Sequence, residues 1–111
     1  MGVLERLNEV NEARSIDAFG IELSDWRLSQ WSNAVAGETG ELCNICKKID
    51  RGDYKNDRDK YDAANVALGK EAADVVIYLD LLCKRQGLNL AEEIIKKFNV
   101  VSDKRDSIIK L

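Results

Sequence analysis

Residues 31–50 read WSNAVAGETGELCNICKKID. At about 100° per residue, Trp31, Val35, Leu42, Ile45 and Ile49 fall on one side of a helix. Glu38 lies on that same stripe, within roughly 20° of the Trp31 direction, and Glu41 sits at its edge. A carboxylate within a core-facing stripe is costly unless something positive meets it. A second stretch repeats the pattern. Residues 69–79 read GKEAADVVIYL, with Glu71 and Asp74 spaced i, i+3 and Tyr78 one turn on. Carboxylates at that spacing share a helix face. Four of them on two packed helices make a nest of hard oxygen ligands for Mg²⁺, with Mn²⁺ as a substitute.

Working outward, the chain reads as four helices. The first spans Val3 to Phe19, with Leu4, Leu7, Val10 and Ala13 or Arg14 marking a thin apolar face, and Gly20 breaks it. Ser24-Asp25 or Ser29 can cap the second, which runs to about Asp50 with Gly52 just beyond. Residues 51–65, RGDYKNDRDKYDAAN, are dense in charge and read as a loop, either a solvated linker or a flap over a ligand. The third helix spans about Val66 to Arg85; its VVIYLDLLC segment is apolar nearly all round, which predicts central burial. Asn89 starts the fourth, with Glu92 placed for a capping box. Leu90, Ile94, Ile95 and Phe98 form its expected buried face, and the tail DKRDSIIKL extends it or frays. The expected fold is an all-α bundle of four to five helices, a single domain over residues 1–111, completed by homodimer or homotetramer assembly.

Composition narrows the function classes. With 17 basic and 20 acidic residues the net charge is −3, so neither a nucleic-acid nor a membrane footprint is expected. No apolar run approaches the roughly 18 residues of a membrane span. The charged, periodic N-terminus predicts no signal peptide, and three cysteines without a secretion signal predict a cytoplasmic setting. The absence of Pro suits helices. The absence of His removes the commonest general base and every imidazole-dependent triad.

Hard carboxylates without imidazole favour Mg²⁺ or Mn²⁺ over zinc. Mg²⁺ usually binds through one or two carboxylates together with substrate phosphates, which points to phosphate chemistry. A di-iron bundle expects Glu-x-x-His on two helices, and Glu and Asp stand at those positions here. Cys43-x-x-Cys46 suggests zinc or redox work, but only Cys83 remains as a further soft ligand and no βαβ context is present, so the cysteines read as structural, with Cys46 facing the core.

Three segments together resemble one family. Residues 33–48 (NAVAGETGELCNICKK), 69–79 (GKEAADVVIYL) and 97–105 (KFNVVSDKR) are similar, in order, to the MazG-like all-α nucleoside triphosphate pyrophosphohydrolases. Their mark is Glu-x-x-Glu, a spacer, Glu-x-x-Asp, then a segment bearing Lys and Asn. The spacer from Glu41 to Glu71 is long for that family. The resemblance implies that Glu38, Glu41, Glu71 and Asp74 bind Mg²⁺ and form the catalytic set. It implies cleavage of a ribo- or deoxyribonucleoside triphosphate to the monophosphate and pyrophosphate, in nucleotide-pool house-cleaning. Lys97 would contact phosphate and Asn99 would hold substrate or the ligand network. Tyr78 matches an aromatic near the nucleotide, and Trp31 is placed to stack on the base or to fill the core. Lys47, Lys48 and Arg51 suit a helix C-terminus as well as a phosphate. The rival from another class is a catalytically silent helical module for oligomerisation or partner docking.

Overall fold

The computed structural model describes residues 2–111. Among these, all regular structure is helical: α1 Val3–Phe19, a 3₁₀ turn Leu23–Asp25, α2 Leu28–Asp50, α3 Arg58–Arg85 and α4 Leu90–Lys104. The chain forms two compact units, one comprising residues up to Asp25 with Asp80–Leu111, the other Trp26–Leu79. Helix α3 runs without interruption from one into the other.

The Trp26–Leu79 unit is built on α2 and the first two-thirds of α3. Helix α2 starts at Leu28, because Gln30 Oε1 accepts the Arg27 N–H at 2.7 Å. Neither Ser24-Asp25 nor Ser29 caps it; Asp25 instead accepts the Glu22 N–H at 2.7 Å and closes the 3₁₀ turn. The expected stripe holds: Trp31 is buried, and Val35, Glu38, Leu42, Ile45 and Ile49 are half-buried. Trp31 packs on Trp26 with ring centroids 4.4 Å apart.

The expected 51–65 loop is only half a loop. Helix α3 begins at Arg58, eight residues early, leaving a seven-residue turn. Asp57 Oδ1 accepts the Lys60 N–H at 3.0 Å, and Arg58 pairs with Asp62 one turn on. A cap and an i, i+4 ion pair support a helix where apolar periodicity is faint. Beneath the charges Tyr61, Ala64, Ala67 and Leu68 still face inward.

In the other unit α1 packs on α4. The α1 boundaries match the sequence reading, ending at Gly20 with φ +67°, a left-handed cap that glycine adopts without strain. Its inward face does not match. The buried positions are Asn11 and Ser15, while Val10 is exposed. Asn11 turns inward because its amide meets the buried Asp80 carboxylate, and Ser15 Oγ donates to the Ile21 carbonyl at 2.8 Å. The end of α3 is buried as expected, through Asp80, Leu81 and Cys83.

Helix α4 starts where expected, with Asn89 Oδ1 accepting the Glu92 N–H at 3.2 Å. Its face is a second correction. Leu90 is buried, but Ile94, Ile95 and Phe98 are exposed, because the positions that turn inward after Leu90 are Ala91, Asn99 and Ser102. The tail neither extends α4 nor frays. Asp106 takes a left-handed conformation, the Ser107 N–H reaches the Ser102 carbonyl at 2.8 Å, and Asn99 clasps the Leu111 backbone. No helix among the described residues is long and apolar enough to cross a membrane.

Candidate metal centre

Both acid pairs lie in the Trp26–Leu79 unit, one on α2 and one on α3. Glu38, Glu71 and Asp74 each present a carboxylate oxygen within 4.8 Å of the others. Glu41 joins them, since its strongest interaction is with Glu71. The seven-residue turn makes α2 and α3 antiparallel, and that direction sets Glu38 opposite Asp74 and Glu41 opposite Glu71.

The cluster carries no cation of its own, and its electrostatics show it. Glu41 is raised above the usual carboxylate range, first by a proton shared in a hydrogen bond with Glu71 and then by repulsion from it. Glu71 is raised as well, first by a hydrogen bond with Glu38 and then by burial. Glu71 Oε2 is buried and has no hydrogen-bond partner. An orphaned, buried carboxylate oxygen beside three other acids is unfavourable unless a cation meets it.

The donor set fits a hard divalent ion. At Mg–O distances near 2.1 Å, opposite ligands of an octahedron stand about 4.2 Å apart, so a 4.8 Å cluster needs only a small contraction. Imidazole is absent from the chain, and no thiol joins the cluster. Cys43 and Cys46 are exposed, which corrects the expectation that Cys46 faces the core; Cys83 is buried. Gly37 and Gly40 flank the α2 acids, and a Cβ at either would meet nothing within 4 Å, so the helix surface there is open.

The other predicted residues are placed as follows. Tyr78 is half-buried on α3, one turn beyond Asp74. Trp31 is 1% exposed, seated in the core against Trp26. Lys97 and Asn99 belong to the other unit, where Lys97 is exposed on α4 and Asn99 is engaged with Leu111. Sequence reasoning missed a small hollow at the α2–α3 turn, lined by Tyr54, Lys55, Arg58 and Tyr61. Two cations and two phenol rings within eight residues were its only signal.

No protein-family model, curated protein or solved structure matches the chain.

Proposed function

We propose that this protein is a Mg²⁺-dependent nucleoside triphosphate pyrophosphohydrolase, cleaving a ribo- or deoxyribonucleoside triphosphate to the monophosphate and pyrophosphate. The supporting observation is the meeting of two i, i+3 acid pairs around the unpartnered Glu71 Oε2. The bond cleaved, between the α and β phosphates, rests on the resemblance of the three sequence segments.

In this reading Glu38, Glu71 and Asp74 hold the ion. Bound there, Mg²⁺ would draw in the phosphates and offset charge in the transition state. Glu41, with its raised pKa, is the general base. It takes a proton from water as the water oxygen bonds to phosphorus, and pyrophosphate leaves with the bridging oxygen. Lys97 as a phosphate contact, Asn99 and Tyr78 as substrate contacts and Trp31 as a base platform remain assignments by resemblance. Self-assembly, a cytoplasmic site and a house-cleaning role belong to the same proposal. The test is pyrophosphate release from a nucleotide panel with Mg²⁺. Wild type should turn over at least one nucleotide, and Glu41→Gln and Asp74→Asn should lose about a hundredfold or more. Background release from all three proteins would end the enzyme reading.

The exposed apolar face of α4 favours a second reading, a catalytically silent interaction module. Calorimetry with Mg²⁺ and a non-hydrolysable nucleotide separates the two: binding heat supports the hydrolase, and no heat supports the module.

A further inference from the structure

Helix α4 is amphipathic, yet its apolar stripe is uncovered. Ile94, Phe98 and Val101 follow i, i+4, i+7 spacing and are 36%, 42% and 44% exposed. They line an open groove of about 690 Å³ that Lys97 and Arg105 also border. A second hollow, lined by Val3, Leu4, Ala91, Ile94 and Ile95, continues the surface onto the first turn of α1. Contiguous apolar surface of this kind marks an interaction site.

The charges beside the stripe identify its occupant. Glu93, Lys97 and Lys104 project from one flank, within about 40° of one another at 100° per residue. Glu93 stands near the N-terminal end of α4 and Lys104 is its last residue. A parallel copy would set Glu93 against Glu93 and Lys104 against Lys104. An antiparallel copy, related by a two-fold axis near Phe98 and Asn99, sets Glu93 of each chain against Lys104 of the other, twice, and opposes the helix dipoles favourably. A uniformly acidic or basic partner would meet repulsion at one end of the stripe. Within one chain Glu93 faces only Lys96, at 3.5 Å and exposed, a contact weak enough to exchange.

We infer that the apolar face of α4 docks on the same face of a second copy of this chain, antiparallel about a two-fold axis. The α4 helix, about 22 Å long, is small for a stable interface of roughly 800 Å² per partner, so the adjoining Val3 surface is included in the contact. This inference concerns assembly and stands apart from the hydrolase reading.

Sedimentation velocity over a wide range of concentration tests it on the full chain. The wild type is expected to form a dimer, or a tetramer built from such dimers. Ile94→Glu and Val101→Glu should abolish it with the helical circular dichroism unchanged. Glu93→Lys and Lys104→Glu alone should each weaken assembly about tenfold. The double reversal should return it to within about threefold of wild type, since both pairs are restored with inverted sign. A wild type that stays monomeric at the highest concentration overturns the inference. So does an oligomer indifferent to Ile94→Glu and Val101→Glu, or a double reversal that fails to restore association.

Discussion

Asn11 on α1 donates its side-chain amide to Asp80 on α3 at 2.9 Å, and both residues are 1% exposed. This contact ties two segments 69 residues apart through a buried carboxylate and a neutral donor. A buried carboxylate that loses its donor carries its desolvation cost uncompensated. We predict that Asn11→Ala lowers stability by about 2–3 kcal/mol. Asp80→Asn should cost less, because an amide can still accept from Asn11. Urea unfolding of the two single variants and the double variant checks this. Additive effects in the double-mutant cycle would show that the pair is uncoupled.

The raised carboxylates at the acid cluster predict an unusual pH response. Glu41 and Glu71 start from a value of 4.5 and are raised in the fold. The folded state therefore binds protons more tightly than the unfolded chain. The stability these protons contribute is fully present below about pH 4.5 and is lost as pH rises through the raised folded values. Without metal, Glu71→Gln should lessen that loss, so the melting temperature of the variant falls less than that of wild type between pH 4.5 and neutrality. Parallel melting curves for the two proteins would refute the coupling.

Metal binding should act on the same charges. At a Mg²⁺ concentration 100 times its dissociation constant, ion binding should stabilise the protein by about 2.7 kcal/mol at neutral pH. The gain should shrink in acid, where protons compete for the same oxygens. Thermal melts with Mg²⁺ and after chelation measure it. Asp74→Asn and Glu38→Gln should each remove most of the effect, and an undiminished Mg²⁺ shift in both variants would place the ion elsewhere.

Gly37 and Gly40 occupy the interior of α2 with open space around them. A helical Gly costs roughly 0.5–1 kcal/mol relative to Ala. Gly37→Ala and Gly40→Ala should therefore each stabilise the protein by about that amount. Loss of turnover in a variant that has gained stability would mark the open surface as the approach path of the substrate. Destabilisation by either would instead show that another surface covers it.

The Asn99 clasp on the tail gives a local prediction. Asn99 Oδ1 accepts the Leu111 N–H at 2.9 Å, its Nδ2 donates to the Leu111 carbonyl at 3.2 Å, and Lys110 pairs with Asp103. Asn99→Ala should leave the α4 amides protected while speeding hydrogen exchange at Leu111 by about tenfold, matching the loss of roughly 1.4 kcal/mol. Unchanged exchange there would mean that the tail is held by its other contacts.

Much of this protein is set by the sequence alone. Periodicity places Trp31, Val35, Glu38, Leu42, Ile45 and Ile49 on one stripe, and i, i+3 spacing puts Glu71 and Asp74 on one face, because a helix repeats locally whatever surrounds it. Gly20 and Asn89 mark helix ends through backbone conformation and capping chemistry, which are equally local. Tertiary structure decided the rest. It brought Glu38, Glu71 and Asp74 within 4.8 Å and left Glu71 Oε2 without a partner, a consequence of how α2 and α3 meet. It turned Asn11 inward to Asp80 rather than Val10, since a buried carboxylate must find a donor that no local pattern announces. It also left Ile94 and Phe98 exposed. Amphipathic spacing reports that a face is apolar, but whether the same chain covers that face depends on where the other helices lie.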